Sequence, residues 1–332
     1  MQPTILVTES LNFSDAAAER LRSAARVVLS DLDRQGLLSA VGEAEVLWVR
    51  LRHRIDREVM NAAPRLRIIA TPTTGLNHID LQEADRRGIE VISLRGETSF
   101  LDQIHATAEH TLALILALLR HVPAARNHAA EGGWNRDLFR GRELHGKTAG
   151  VVGYGRVGRM VAGYLQALGM KVLATDTNLS RRPVDARINM VPLAELLAKA
   201  DLVTLHVALT EETQGFFGQN EFMQMKSGSW FINTSRGELV DEGALMGALL
   251  NGRLSGAAVD VLSGERSSGM NAHPLVAYAR SHDNLLITPH IGGCTAESME
   301  KTEEFLADKV VTLLRSQREE VVIEGGNRKD LG

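Results

Sequence analysis

Four short segments of this chain carry residues whose types and spacing could do chemistry. In Thr148–Gly158 the glycines fall at 153, 155 and 158. Gly153 can turn tightly off a strand, Gly155 removes a Cβ so that a pyrophosphate can approach, and Gly158 lets the following helix pack closely. A helix opening there offers free N–H groups and a positive dipole end. Asp176 closes the next apolar run, at the distance expected of the acid that hydrogen-bonds ribose hydroxyls. A carboxylate in that place repels a 2′-phosphate, so NAD is favoured over NADP, and Arg181 and Arg182 are the nearby residues that could hold such a phosphate. The other three segments, Asn233–Glu242, Ala258–Glu265 and Thr288–Gly293, present Arg236, Glu265 and His290 where apolar runs end. A guanidinium fork anchors an anion, an imidazole gives or takes a proton, and a neighbouring carboxylate orients the ring and favours its protonated form. Those are the parts that carbonyl reduction requires. Taken singly, His290 reads as a structural histidine, Glu265 as a solvated acid and Arg236 as a surface residue; their order behind one nucleotide motif points to a shared site. No metal is called for.

These groups need elements to position them. Over the first hundred residues strand-like and helix-like stretches alternate: Thr4–Thr8, Ser14–Ala25, Arg26–Leu29, Glu45–Val49, Arg65–Thr71, Leu81–Arg87 and Ile89–Leu94. That alternation predicts a parallel sheet covered by helices. A long helix, Leu101–Leu119, is expected to lead through a Gly/Trp/Arg-rich connection, Gly132–Gly146, into a strand at Thr148. Arg159–Leu168 has the apolar face of a helix and Lys171–Asp176 is a strand. Further strands are expected at Asp201–Val207, Ser229–Thr234, Gly256–Val261 and Leu285–Thr288, with helices at Leu193–Lys199, Asn220–Met225 and Glu242–Leu249. An amphipathic helix, Ala296–Leu314, is expected to return to the N-terminal domain. The fold class is therefore α/β: two doubly wound parallel-sheet domains, a flavodoxin-like substrate domain over 1–100 plus 292–332 and a Rossmann-type NAD-binding domain over 101–291. In such sheets the ligand crevice lies beyond the carboxyl ends of the strands, where Arg236, Glu265 and His290 could meet a nicotinamide ring.

At 332 residues the chain is long enough for two cores. A net charge of −4 argues against a nucleic-acid binder, and the most apolar stretch, Thr111–Leu119, is too short to span a bilayer. The single cysteine, Cys294, excludes an intramolecular disulfide and suits a reducing compartment. A soluble cytoplasmic protein with a small-molecule partner, and with neither nucleic acid nor membrane, is expected.

The ordered set of Thr74–Asp80, Ala108-Glu109-His110, Gly153–Gly158, Asn233–Glu242, Ala258–Glu265 and Thr288–Gly293 resembles the D-isomer-specific 2-hydroxyacid dehydrogenase family over nearly the whole length. The general run of motifs, with no regulatory extension, is most similar to the catalytic portion of its phosphoglycerate dehydrogenase-like members. The resemblance implies that His290 protonates the substrate carbonyl oxygen, that Glu265 orients its ring and that Arg236 holds the substrate carboxylate. It places Thr74, Gly75 and Leu76 on the other side of that carboxylate. It puts Arg156 and Val157 at the pyrophosphate, Asp176 at the ribose, His206, Val207 and Thr213 along the adenine side, and Thr107, Thr234, Asp260, Gly292 and Gly293 around the nicotinamide. It further implies a homodimer, with the Leu101–Leu119 helix and the Trp134 segment as the contact. Departures are Ala208 and Arg266, where the family commonly has proline, the second opening a polar loop over Arg266–Ala279. Arg50, Arg52, His53 and Arg54 cluster where the family has a substrate-facing residue, which a phosphorylated or doubly anionic acid such as 3-phosphoglycerate would explain; a solvated turn is the plainer account. Two functions follow: an NAD-dependent oxidoreductase of small D-2-hydroxy and 2-oxo acids, or an NAD(H)-sensing, corepressor-like binding protein of the same architecture.

Overall fold

A computed structural model of the chain describes residues 2–178, 185, 187–265 and 269–327. Arg181, Arg182 and Arg266 lie outside the described residues. The chain divides into two compact units, Met1–Gln103 with Ala296–Gly332, and Ile104–Thr295.

Unit 1 alternates β1 (Thr4–Val7), α1 (Asp15–Arg22), β2 (Arg26–Leu29), α2 (Arg34–Ala40), β3 (Val46–Trp48), α3 (Arg57–Ala62), β4 (Ile68–Ala70), α4 (Leu81–Arg86), β5 (Glu90–Ile92) and α5 (Thr98–Leu101). Its strands form a parallel sheet in the order β2-β1-β3-β4-β5. The chain order reverses between β1 and β3, so a crevice opens past Val7 and Trp48. The strands are short and all but continuously apolar because both faces are covered. Leu6, Leu47 and Ile69 lie on one core with Leu37, Val59 and Met60 from the helices. Burying a side chain of that size contributes roughly 1.5–3 kcal/mol. Helix starts are capped by acids and a serine placed for it: Ser14 accepts from Ala17 N–H, Asp33 from Gly36, Asp56 from Val59 and Asp80 from Glu83. The C-terminal helix, α13 in chain order (Ala296–Asn327), packs on α1, where Arg20 pairs with Glu304 at 2.5 Å and with Asp308 at 2.7 Å.

Unit 2 contains α6 (Ala106–Leu119), α7 (Val122–Ala130), β6 (Thr148–Val152), α8 (Arg156–Ala167), β7 (Lys171–Thr175), β8 (Ile188–Met190), α9 (Leu193–Lys199), β9 (Leu202–Leu205), α10 (Gln219–Gln224), β10 (Ser229–Asn233), α11 (Glu242–Leu250), β11 (Leu254–Val259), α12 (Pro274–Ala279) and β12 (Leu285–Ile287). Among the described residues its parallel sheet has the order β12-β11-β10-β9-β6-β7-β8, with the switch between β6 and β9. Side chains alternate between two cores, one per face. Val152, Phe231 and Val259 join Phe217 and Phe222 on one side. Val151, Ile232 and Ala258 join Ile115, Val161 and Leu165 on the other. The α/β reading with two parallel sheets holds.

Several element boundaries differ from the sequence expectation. The single helix expected over Leu101–Leu119 is two helices, α5 and α6, because Asp102 caps α5 and its N–H is taken by Phe100 and Thr98 carbonyls. The Gly132–Gly146 connection is preceded by α7, started by Pro123 after His121 turns at φ 52°, and holds a 3₁₀ turn at Arg136–Phe139. The expected polar loop Arg266–Ala279 ends in α12, opened by Pro274 with Leu275 and Tyr278 buried. Pattern reading misses such pieces because one or two turns hold too few residues to show a period.

In α4, Arg86 and Arg87 both reach back to the Glu83 carboxylate, Arg86 through 2.6 and 2.9 Å bonds and Arg87 at 2.6 Å. These bonds hold the Glu83 pKa at about 2, below the ordinary 4.5. The contribution of this cluster to stability is present above pH ~4.5 and is lost as the pH falls toward ~2. Urea unfolding between pH 2 and 6 will show this loss in the wild type, and Glu83→Gln will remove part of the pH dependence.

Candidate active site

In unit 2 the glycine turn follows β6. Gly153 has φ 91°, and a Cβ on it would lie 2.4 Å from the His206 carbonyl oxygen past β9, across the switch point. A Cβ on Gly158 would lie 2.0 Å from the Gly153 carbonyl oxygen, so the helix can sit against the turn only as glycine. Gly155 is the N-cap of α8 and provides no side-chain cap, so the positive end of the helix faces the turn, where an anionic ligand is favoured. Arg156 donates to the Ile104 carbonyl at 2.8 Å, so its side chain braces the turn from outside. Asp176, just past β7, accepts the Tyr154 N–H at 2.8 Å and the Asn178 N–H at 2.8 Å. The acid is thereby fixed beside the turn, the spacing that a dinucleotide's ribose and pyrophosphate demand. The turn, the uncapped helix start and the acid together fit NAD.

At the carboxyl end of β9, the His206 ring bonds Thr204 Oγ1 at 3.0 Å, and burial lowers its pKa to about 3, so it is neutral. Val207 is half-buried beside it, and the Thr213 hydroxyl donates to the Ala208 carbonyl and accepts the Thr210 N–H, both at 2.8 Å, which shapes the following turn without proline at 208.

Three strand ends carry the acid–base groups. At the end of β10 the buried Asn233 donates to the Arg236 carbonyl at 2.8 Å and accepts the Ser235 N–H at 3.0 Å, and Arg236 donates to the Ser235 carbonyl at 2.6 Å. Thr234 meets Thr111 of α6 at 2.8 Å. Past β11, Glu265 Oε1 lies 2.5 Å from His290 Nδ1. A carboxylate only accepts, so Nδ1 carries the hydrogen and Nε2 is the nitrogen turned to other work. Past β12, His290 sits at φ 54°, which costs a non-glycine residue on the order of 1 kcal/mol.

Asp260 holds that strained turn. It is 1% exposed, and its carboxylate accepts Thr288 Oγ1–H at 2.6 Å, Ile291 N–H at 2.9 Å and Gly292 N–H at 2.7 Å, while its carbonyl accepts the His290 N–H at 2.8 Å. His110 of α6 lies 3.2 Å from Asp260 Oδ1 and 3.0 Å from Thr288 Oγ1. Since the Thr288 hydrogen is used on Asp260, the His110 Nε2–H is the donor in both contacts. Thr107 faces Gly292, and Gly293 follows in the same turn. His110 was legible in the sequence only as part of a motif. Its signal is position: three residues after Thr107, on the same helical face. Glu242 and His273 lie 3.1 Å apart, a pairing that no sequence motif signals. Burial pushes the Glu242 pKa up, against the Ser263 N–H and His273, and the charge of Glu238 adds to the rise.

In unit 1, Thr74, Gly75 and Leu76 form the loop after β4, where Thr73 Oγ1–H donates to the Gly75 carbonyl at 2.9 Å. The basic cluster is largely neutralised. Arg50 is held by the buried Glu303, donates to the Leu11 and Asn12 carbonyls at 2.9 and 3.2 Å and lies 5.8 Å from the Phe13 ring centroid. Glu303 is 1% exposed, and a carboxylate so buried requires a partner; burial raises its pKa, while the Ser14 N–H and Arg50 oppose the rise. Arg52 pairs with Asp31 at 2.8 Å. His53 is buried and its pKa lowered by that burial, against the charge of Glu9 and together with those of Arg52 and Arg34. Arg50 and Arg52 are thus paired within unit 1, while Arg54 of the same cluster is exposed.

A model of the D-isomer specific 2-hydroxyacid dehydrogenase NAD-binding domain matches residues 112–292. The chain belongs to this family. It is 38% identical over 309 residues to the D-3-phosphoglycerate dehydrogenase of Mycobacterium tuberculosis, covering 93% of this chain and 56% of that protein. Among solved structures it is similar to the TT0316 protein of Thermus thermophilus, at 36% identity and TM-score 0.80 over 94% of this chain and 97% of that one. The Aquifex aeolicus D-lactate dehydrogenase, solved with NAD and lactic acid, has 28% identity and TM-score 0.81 over 95% and 96%. The chain spans a little over half the length of the curated relatives it matches. A Gly153→Ala variant meets both a positive φ and a backbone oxygen, so it is expected to lose on the order of 1–3 kcal/mol of stability, and its NADH affinity with it; thermal unfolding and fluorescence titration measure the two.

Proposed function

We propose that the protein is an NAD-dependent oxidoreductase that interconverts a small D-2-hydroxy acid and its 2-oxo acid. The observation that carries this reading is the 2.5 Å contact between Glu265 and His290 Nδ1, which presents Nε2 as a proton donor at a strand end of a NAD-binding domain. Bound at the glycine turn, the cofactor supplies hydride as NADH and accepts it as NAD+. In the reductive direction the carbonyl carbon takes the hydride and the carbonyl oxygen takes the Nε2 proton of His290; in the oxidative direction the same nitrogen removes the hydroxyl proton. Glu265 orients the ring that donates. Arg236 anchors the substrate carboxylate, and Thr74–Leu76 is the substrate-facing segment of unit 1. The half-buried acid–imidazole pair favours catalysis over a sensing role, which needs NAD binding but no proton donor.

With a panel of 2-oxo acids, one of them bearing a terminal phosphate, NADH absorbance will fall for the wild type. His290→Gln will lower turnover by about 10²–10⁴-fold while NADH binding stays within about twofold. Wild-type inertness toward the whole panel, with NADH bound, favours the sensor instead.

We infer further that the chain acts as a cytoplasmic homodimer. The exposed thiol of Cys294 suits a reducing compartment. In unit 2, Trp134 is 94% exposed, with Val122 and Leu138 also exposed nearby in the chain, an apolar surface of the kind that a second copy covers. Light scattering will give a dimer for the wild type and a shift toward monomer for Trp134→Glu. A monomeric wild type refutes the assembly.

A further inference from the structure

The segment 263–273 carries Glu265 near one end and leads into α12 at the other. Both of its ends meet one side chain. Glu242, the first residue of α11, accepts the Ser263 N–H through Oε1 at 2.7 Å and faces His273 Nε2 through Oε2 at 3.1 Å. Ser263 stands two residues before Glu265, and His273 directly precedes Pro274. The Glu242 and His273 side chains are only 19% and 13% exposed. A carboxylate accepts only, so His273 Nε2 carries the hydrogen, and its Nδ1 is buried with no partner among the described residues. Such an orphaned atom is costly in a native structure, and it persists here in the ring that completes the contact with Glu242. A third element closes the arrangement. A Cβ on Gly237 would lie 2.1 Å from the Leu262 carbonyl carbon and 2.2 Å from Ser263 N, so the turn that presents Arg236 rests on the same peptide that Glu242 holds.

We propose that Glu242 and His273 are positioning residues: a clasp that ties the Ser263 amide to the start of α12 through Glu242 and His273, and fixes the backbone from which Glu265 meets His290. The role rests on the reading of Glu265 and His290 as the acid–base pair. A carboxylate must be held to within tenths of an ångström to keep its contact with Nδ1, and displacement of about 1 Å in a catalytic group lowers rates by about a hundredfold. An acid at the start of α11 would also favour the helix dipole, but that role involves neither His273 nor Glu265.

The test uses the full chain with Glu242→Ala, His273→Ala and Glu265→Gln, singly and with each alanine variant combined with Glu265→Gln. Both alanine variants are expected to lower kcat about tenfold or more with NADH affinity within about twofold, and neither double variant is slower than Glu265→Gln alone. Hydrogen exchange of the Ser263 amide is expected to accelerate in Glu242→Ala. Wild-type kcat in both single variants, losses that multiply with that of Glu265→Gln, or unchanged Ser263 exchange overturns the clasp. His273→Ala, at the far end of the segment, carries the kinetic test if Glu242→Ala does not fold. A Glu265→Gln variant at the wild-type rate, alongside accelerated Ser263 exchange, overturns the catalytic reading beneath the clasp and the positioning role with it.

Discussion

His290 is held by two carboxylates with different tasks, one on its ring and one on its backbone. Glu265 takes the ring nitrogen Nδ1 and so directs Nε2 outward. Asp260 takes the backbone, accepting N–H groups on the far side of a residue in the left-handed region. Without Asp260 the turn would relax toward an unstrained φ and carry the ring away from Glu265. Without Glu265 the ring could turn, and either nitrogen could face a substrate. Strain of this kind persists where the surrounding structure over-determines it. Here that surrounding is the end of β11, the Thr288 hydroxyl and His110 from α6.

The same logic explains why the site sits on strand ends. β10, β11 and β12 are adjacent and parallel, so Arg236, Glu265 and His290, far apart in the chain, emerge from one edge of one sheet. The glycine turn leaves β6 next to β9, where the chain order reverses and neighbouring connections diverge to opposite faces. A dinucleotide needs a phosphate-binding turn with no Cβ in the way and an acid nearby, and Gly153 with Asp176 meets that need through steric facts: a missing side chain and a carboxylate tied to the Tyr154 amide.

In unit 1 the dominant constraint is a buried anion. Glu303 of α13 accepts the Ser14 N–H at the start of α1 and the Arg50 guanidinium just past β3, so one carboxylate joins the C-terminal helix to the N-terminal sheet. Burial makes this pairing obligatory for Glu303, and it makes Arg50 a structural cation. The exposed neighbour pairs, such as Arg52 with Asp31, are worth little by themselves, but they leave the cluster with less net charge than its composition suggests.

The sequence by itself determined the class of fold and the dinucleotide motif. Alternating apolar runs implied two parallel sheets, glycine spacing with Asp176 implied the dinucleotide, and the residues at three strand ends implied an anion anchor and a proton donor. Those features are local, set by side-chain type and by periods of two or 3.6, so they are legible along the chain. Tertiary structure alone decided which charges are free and which are paired. Arg50 reads as a ligand-facing cation until α13 brings Glu303 to it. Glu242 and His273 read as a helix-start acid and a loop histidine until folding sets them 3.1 Å apart. Pairing depends on burial and on distance across elements separated by tens to hundreds of residues, and neither is a property that a linear pattern carries.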